Sequence, residues 1–195
     1  MNYFFAIKPP LEVCKTLAEY SDRWRDLLGE QRFRWYVPQD YHITLKFLGD
    51  LDGSAEEILI AAALPISQKS EPFFVELAGP SGLPNPERFA NVLINGIYSN
   101  EHLRALQKNI SQAMAAVGFP EEASPYLPHI TFARCRRRER DIQFVKFEHV
   151  FLKCNIDHFV LMQTLPPESR ANGAKARYNT VHTFPFRTAH LSDVS

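Results

Sequence analysis

The chain has 195 residues, of which 45% are hydrophobic and 23% charged, and its formal net charge is zero. These values are typical of a globular domain, and the length allows one well-buried domain or two small lobes that share a core. A neutral chain has no global attraction to nucleic acid or to an anionic membrane, so a nucleic-acid role has to rest on a local patch.

Cysteine usage and hydropathy bear on the compartment. The three cysteines, Cys14, Cys135 and Cys154, are odd in number and widely spaced, which disfavours a disulfide framework or a zinc site and favours a reducing cytoplasm. The N-terminal "MNYFFAIKPP" lacks the basic region of a signal peptide, and no apolar stretch approaches the roughly 20 residues needed to span a bilayer. We therefore expect a cytoplasmic protein that does not contact a membrane. We also expect it to be a monomer.

The first half of the chain alternates predicted strands and helices. An aromatic, β-rich start predicts a strand at 3–8, and apolar residues spaced by three or four predict an amphipathic helix over 11–28, ended by Gly29. Two further strands follow at 32–37 and 42–48. Ser54 and Glu57 form a capping-box pattern, which predicts a helix over 54–64.

The second half repeats this alternation. Strands are predicted at 73–79, 91–98, 129–134, 156–163 and 178–186, and a second clear amphipathic helix at 100–117. The Pro- and Gly-rich segment 79–88 lacks the Gly-Lys-Ser/Thr end of a phosphate-binding loop, so we interpret it as a rigid surface turn. No linker is long enough to separate two independent domains.

A repeated motif relates the two halves of the sequence. The triplet His-Ile-Thr occurs at 42–44 and again at 129–131, 87 residues later, and each copy follows a helix. Residues i and i+2 of a strand share a face, so His42 lies beside Thr44, and His129 beside Thr131. If two similar α+β lobes face each other, two imidazoles and two hydroxyls converge on one cleft.

This set of groups suits phosphodiester cleavage without a metal. The reaction needs a base for the attacking oxygen and an acid for the leaving oxygen, and two histidines with an ordinary pKa of about 6.5 supply both at neutral pH. The threonine hydroxyls can donate to the non-bridging phosphate oxygens, where charge builds up. The other histidines show no metal-ligand spacing: His102, His149, His158, His182 and His190.

The paired motifs resemble those of the 2H phosphoesterase superfamily. The longer phrases "RWYVPQDYHITLKFLGDLD", "VGFPEEASPYLPHITFAR" and "GAKARYNTVHTFPF" look like the bacterial and archaeal RNA 2′,3′-cyclic phosphodiesterase family, also called 2′-5′ RNA ligase. The resemblance implies an α+β fold of two pseudo-symmetric lobes with antiparallel sheets around a central cleft. We expect one such bilobal domain at 1–190, with a C-terminal tail at 191–195.

The resemblance also implies an activity and roles for five residues. The activity is hydrolysis of RNA 2′,3′-cyclic phosphate ends to 2′-phosphates, with reversible 2′-5′ ligation also described for the family. From the two-histidine chemistry itself we expect neither metal nor cofactor. His42 matches the proton donor and His129 the acceptor, whereas Thr44, Thr131 and Arg134 match the groups around the substrate phosphate. Strand alternation, however, puts Arg134 on the face opposite Thr131, so a bulge or a strand end is needed to turn it inward.

The sequence leaves several alternatives open. The substrate is an RNA end, or else a small cyclic nucleotide or a 2′-5′ oligonucleotide, and a non-catalytic RNA-binding module is the rival from another class. The arginine run at 136–140 is an RNA-binding patch or a solvated loop. Five aromatic residues are candidates for base stacking or for the core: Phe4, Phe5, Trp35, Tyr36 and Tyr178.

Overall fold

The structure, a computed structural model, describes residues 1–85, 89–136, 152–166 and 176–187. Within these residues the chain forms an α+β fold, as expected. The strands are β1 (Asn2–Ile7), β2 (Phe33–Trp35), β3 (Ile43–Asp50), β4 (Phe73–Asn85), β5 (Phe89–Ile97), β6 (His129–Cys135), β7 (Lys153–Ile156), β8 (His158–Thr164) and β9 (Tyr178–Pro185), and the helices are α1 (Leu11–Leu28), α2 (Glu56–Lys69) and α3 (Glu101–Ala116). The predicted tail at 191–195 lies outside the described residues.

The strands form an antiparallel sheet of two matching halves. The order is β7-β4-β5-β6-β3-β1-β8-β9, with β2 paired to β6. In one half β1 leads through α1 to its neighbour β3, and in the other β5 leads through α3 to its neighbour β6. The predicted relation between two similar lobes is thereby confirmed.

The two halves meet where the repeated triplets lie. Strands β3 and β6 pair through one residue of each, Ile43 opposite Ile130, which are the central residues of the two triplets. Both isoleucine side chains are fully buried. The local axis that relates the halves therefore passes between these residues, and the histidine and threonine of each triplet flank it.

The helices cover one face of the sheet. Helix α1 buries Leu17 and Trp24, and α3 buries Ile110 and Met114, each at 2% exposure or less. The Trp24 ring packs edge-on against Phe132 of β6, with ring centroids 5.7 Å apart. Because strand residues alternate in direction, the helix-covered face takes the isoleucines and leaves the histidines on the opposite face.

The start of α2 differs from the prediction. The helix begins at Glu56, and the side chain that accepts a backbone N–H at this end is Asp52, which takes the Ser54 N–H at 2.9 Å. The predicted capping box of Ser54 and Glu57 is therefore wrong. The helix also continues past Pro65 to Lys69, where Ile66 packs against the hydrophobic core and the buried Ser67 hydroxyl donates to the Leu64 carbonyl at 3.0 Å.

The predicted surface turn at 79–88 is also wrong in its first part. Residues up to Asn85 continue β4 and pair with β5, from Leu77 opposite Ile97 to Asn85 opposite Phe89. β7 pairs with β4 only along Phe73–Glu76. Beyond that point the described residues leave β4 with one neighbour, and a sheet edge tolerates the missing N–H groups of Pro80 and Pro84. Residues 86–88 lie outside the described part.

Hydropathy adds one observation about the helices. Among those that the described residues form, none combines the length and the apolar character needed to cross a membrane.

The joint between the halves makes a testable prediction. Ile130→Ala should lower the free energy of unfolding by about 2–5 kcal/mol, because it leaves a cavity in a fully buried site. Ile58→Ala is the matched control, since Ile58 on α2 is 49% exposed, and should change it by less than about 0.5 kcal/mol. Urea unfolding measures both, and equal losses would show that Ile130 does not hold the two halves together.

Candidate active site

All five residues that the sequence suggested come together in the structure. A cavity of about 360 Å³ on the sheet face opposite the helices is lined by His42, Thr44, His129, Thr131 and Arg134. Both histidines and both threonines are half-buried, so each keeps part of its surface toward the cavity.

A bulge brings Arg134 onto the same face as Thr131. In the pairing of β5 with β6, Leu93 lies opposite Ala133 and Ile94 opposite Thr131, so Phe132 is an extra residue on β6. A bulge of this kind resets the alternation of side chains along the strand. The side chain of Arg134 therefore lies on the same face as those of His129 and Thr131, which is where the resemblance to the family places it.

The first motif carries the same irregularity at the equivalent position. In the pairing of β1 with β3, Ala6 lies opposite Thr44 and Phe5 opposite Lys46, so Leu45 is the extra residue. Adding 87 to its number gives Phe132, the bulge residue of the second motif. By the same count Phe47 is the counterpart of Arg134, and Phe47 also lines the cavity.

Each imidazole is oriented by a backbone carbonyl two residues before it. Nδ1 of His42 lies 2.6 Å from the Asp40 carbonyl oxygen, and Nδ1 of His129 lies 2.8 Å from that of Leu127. A carbonyl only accepts, so Nδ1 carries the proton in both rings. Nε2 is then the nitrogen left to exchange a proton with a substrate.

The loop before His42 is held by a buried carboxylate. Asp40 is 1% exposed, and its Oδ1 accepts the Arg177 backbone N–H at 2.8 Å. This bond ties the loop to the start of β9, and it brings Tyr178 edge-on against the His42 ring with centroids 5.1 Å apart. Asp40 thus positions His42 through its backbone and Tyr178 through its side chain.

The loop before His129 is anchored on the other motif strand. The Tyr126 hydroxyl donates to the Thr44 carbonyl at 3.1 Å, and buried Lys46 donates from Nζ to the Pro120 carbonyl at 2.5 Å. Burial raises the pKa of Tyr126, so its hydroxyl stays protonated as this bond requires. The strand of the first motif therefore helps to hold the loop that orients the histidine of the second motif.

The electrostatic environment keeps both imidazoles neutral in the free protein. Burial lowers the pKa of His42 to about 4. Repulsion from His129 and Arg134 also lowers this pKa, whereas the hydrogen bond to the Asp40 carbonyl raises it. The pKa of His129 is also lowered, first by burial and then by Arg134, while the Leu127 carbonyl opposes the change. An anion between the rings would raise both values.

Aromatic side chains wall the cleft beside His42. Phe4 and Tyr178 both contact the His42 ring, and the Tyr36 ring stacks on Tyr178 with centroids 6.2 Å apart. These three line the continuation of the cleft, whereas Phe5 lies in the core and Trp35 lines a neighbouring cavity. All five are candidates from the sequence, and only their positions in the fold separate the aromatic residues of the cleft from the other two.

Two positioning residues were missed from the sequence. Asp40 and Tyr126 lie two and three residues before a histidine, so proximity along the chain was their one available signal. Their partners, Arg177 and Thr44, are 137 and 82 residues away and become visible only in the fold.

Within residues 1–85, 89–136, 152–166 and 176–187, no three His, Cys, Asp or Glu side chains are grouped so as to hold a metal ion. Arg136 donates from Nε to the Phe33 carbonyl at 3.2 Å, and the rest of the run, 137–140, lies outside the described residues.

Comparison with protein families and curated sequences gives a consistent result. Residues 9–167 match the family model described as the 2′-5′ RNA ligase superfamily. The RNA 2′,3′-cyclic phosphodiesterase of Bacillus subtilis is 35% identical over 133 residues, which cover 68% of this chain and 70% of that protein. The enzyme of the same name from Geobacillus stearothermophilus is 31% identical over 143 residues, 73% of this chain but only 44% of the relative's length.

Solved structures support the fold. A Thermus thermophilus protein superposes with a TM-score of 0.77 at 24% identity, over 97% of this chain and 100% of the other. E. coli LigT complexed with 3′-AMP superposes with a TM-score of 0.75 at 21% identity, over 96% of this chain and 98% of that one. The expected bilobal α+β architecture is confirmed.

The depressed histidine pKa values predict a loss of stability in acid. The unfolded chain protonates His42 near pH 6.5, whereas the folded chain resists protonation down to about pH 4. The unfolded state binds more protons in this window, so the free energy of unfolding falls as the pH drops through it. His42→Gln should flatten this decline and Thr44→Ser should not. Urea unfolding at several pH values measures it, and an unchanged slope in His42→Gln would contradict the burial of His42.

Proposed function

The chain belongs to the 2′-5′ RNA ligase superfamily, and from that premise we propose that it hydrolyses the 2′,3′-cyclic phosphate at RNA ends to a 2′-phosphomonoester. The observation that carries the proposal is the convergence of two His-x-Thr pairs on one cavity. The relatives named RNA 2′,3′-cyclic phosphodiesterase support the substrate class.

The two histidines divide the proton transfers. His129 takes a proton from a water molecule, which attacks phosphorus, while His42 protonates the 3′ oxygen as its bond to phosphorus breaks. The attacking and leaving oxygens lie on opposite sides of phosphorus, which suits two imidazoles that face each other across a cleft. The phosphate stays on the 2′ oxygen. The Nδ1–H bonds to the backbone keep both Nε2 atoms directed to this task.

Three further side chains hold the phosphate. The hydroxyls of Thr44 and Thr131 donate to the non-bridging oxygens from the two sides of the local axis, and Arg134 adds a positive charge at one end. The negative phosphate also raises the pKa of both imidazoles once it is bound. Substrate binding thereby supplies the protonated His42 that the free protein disfavours.

The same orientation accounts for a ligation reaction. If the 5′ hydroxyl of a second RNA replaces water as the nucleophile, His129 accepts its proton and the 3′ oxygen leaves as before. The new bond joins phosphorus to the 5′ oxygen of the second chain, so that one phosphodiester links the 2′ oxygen of the first chain to the 5′ oxygen of the second. We therefore propose that hydrolysis and reversible 2′-5′ joining use one arrangement of residues.

We also propose a cellular compartment, an oligomeric state and a domain organisation. We place the enzyme in the cytoplasm, which agrees with the odd number and wide spacing of Cys14, Cys135 and Cys154, and we propose that it is a monomer. Residues 1–190 would act as one bilobal domain, with 191–195 as a tail. A small cyclic nucleotide is the alternative substrate, and an RNA-binding module without activity is the alternative function.

One experiment separates these possibilities. The purified protein is incubated, with and without excess EDTA, with cyclic-phosphate-ended oligonucleotides and with 2′,3′-cyclic mononucleotides, and the phosphate of each product is located by end-group analysis. We expect 2′-phosphate products from oligonucleotides at the same rate in both conditions. Turnover of mononucleotides alone would favour the small-nucleotide alternative, and binding without turnover would favour the RNA-binding module.

Both histidines should be required for turnover. His42→Ala and His129→Ala should each lower kcat by at least about 10²-fold, because general acid or base catalysis contributes roughly 10² to 10⁴. His158→Ala is the control, since His158 lies beside Asp157 and outside the cavity. Steady-state kinetics on a cyclic-phosphate oligonucleotide measures the effect. Near-full activity of either His42→Ala or His129→Ala would refute acid and base catalysis by the two histidines.

The pH profiles should differ between the free and the bound enzyme. The productive form carries one proton on the pair, and both pKa values are depressed in the free protein, so kcat/KM should be bell-shaped with its maximum below about pH 6.5. The maximum of kcat should lie at a higher pH, because the bound phosphate raises both values. Steady-state rates from about pH 4 to 9 locate the maxima of kcat and kcat/KM. Maxima that coincide above pH 7 would be incompatible with the depressed pKa values of the free protein.

The phosphate contacts should contribute less than the histidines. Arg134→Ala should lower kcat/KM by about tenfold, with added salt reproducing part of the loss, and each Thr→Ala change at 44 or 131 should cost about 1–3 kcal/mol in kcat/KM. Arg187→Gln, which removes a distant arginine paired with Glu71, is the control for net charge. Unchanged and salt-insensitive kinetics of Arg134→Ala would remove Arg134 from the site.

A further inference from the structure

The cleft continues past the histidines on the His42 side. There a cavity of about 320 Å³ shares His42, Thr44 and Arg134 with the first one and adds Arg34 and Arg177. The residues that line it in the described part of the chain include no Asp or Glu. Three guanidinium groups thus border a space next to the reacting phosphate, with no carboxylate in its lining.

Two of these arginines lie directly opposite each other. Arg34 on β2 and Arg134 on β6 are paired residues of an antiparallel ladder, so their side chains share a face. Like charges in this arrangement destabilise a sheet by mutual repulsion. A bound anion would remove the repulsion, and Arg34 is exposed enough to reach one.

Tyr36 holds the other two guanidinium groups in place. Its hydroxyl accepts from Nε of Arg134 at 3.3 Å, and the guanidinium carbon of Arg177 lies 4.6 Å from the centre of its ring. The backbone of Arg177 is fixed in turn by the buried carboxylate of Asp40. Groups held in this way lose little freedom when they bind a ligand, which favours affinity.

We propose that Arg34 and Arg177 form a subsite for the phosphate on the 5′ oxygen of the terminal nucleotide. The proposal rests on the function proposed above, in which the 3′ oxygen faces His42. In ribose, the carbon that carries this oxygen is bonded to C4′, which carries the 5′ arm. The 5′ phosphate therefore leads away on the His42 side, into the cavity of Arg34 and Arg177.

The consequence is a preference for cyclic ends that belong to an RNA chain. A 2′,3′-cyclic nucleoside phosphate without a 5′ phosphoryl group leaves the subsite empty. A terminal nucleotide within RNA fills it with the phosphodiester that links it to the preceding residue. The subsite would thus distinguish RNA ends from small cyclic nucleotides, which share the same reacting group.

Matched substrates test the subsite. Adenosine 2′,3′-cyclic phosphate is compared with the same compound carrying a 5′ phosphate and with the dinucleotide that ends in it. In the parent enzyme the 5′-substituted forms should have a kcat/KM at least about tenfold higher, as expected for charge-assisted hydrogen bonds. Arg34→Gln and Arg177→Gln should each bring this ratio toward one, Arg34→Lys should keep part of it, and Arg23→Gln on α1 should keep all of it.

A binding measurement keeps the two proposals separable. Calorimetry compares adenosine 2′,5′-bisphosphate with adenosine 2′-monophosphate, and the bisphosphate should bind more tightly by a ratio that falls in the same variants. Hydrolysis without any preference for a 5′ phosphate, or a preference that survives both glutamine variants, overturns the subsite alone. A preference in binding that depends on Arg34 and Arg177, together with no hydrolysis of any cyclic phosphate, overturns the proposed activity and supports the subsite.

Discussion

The pairing of Ile43 with Ile130 is the contact on which the cleft depends. These buried residues join the two halves of the sheet at one point, and each lies between the histidine and the threonine of its motif. Since strand neighbours point to opposite faces, burying both isoleucines under the helices directs all four polar side chains to the other face. The bulges at Leu45 and Phe132 come two residues after the isoleucines, and they reset the alternation of side chains between the two faces on both strands. Burial of the two isoleucines therefore positions the histidines and threonines, whose own interactions with the protein are weak.

The symmetry of this arrangement is broken where the proposed chemistry needs it. Arg134 has Phe47 as its counterpart, so the two equivalent positions that line the cleft carry a cation and an exposed aromatic ring. The carbonyls of Asp40 and Leu127 orient equivalent imidazoles, but Asp40 also binds Arg177 through its side chain. Positive charge thus accumulates beside His42, where Arg34, Arg134 and Arg177 border the same cavity.

Local patterns in the sequence were sufficient to predict most helices and strands and the face on which the motif side chains lie. They were not sufficient to predict features that depend on residues distant in the chain. The bounds of α1 were predicted from its apolar spacing, and the convergence of His42 and His129 from the repeated triplet. Regular alternation puts Arg134 on the wrong face, because the bulge at Phe132 is visible only in the register with β5. The extension of β4 depends in the same way on pairing with β5, and Pro80 and Pro84 on their own indicated a turn. Tyr178 reaches His42 through a bond between Asp40 and a residue 137 positions away.

The division of roles between the histidines can be measured with a substrate whose 3′ bridging oxygen is replaced by sulfur. A thiolate leaves without needing a proton, so this substrate does not require the general acid but still requires the general base. If His42 protonates the leaving group, His42→Ala should turn over the sulfur substrate at close to the parent rate, whereas His129→Ala should remain at least about 10²-fold slower. Rescue of His129→Ala instead would reverse the assignment, and rescue of neither variant would contradict acid and base catalysis by this pair.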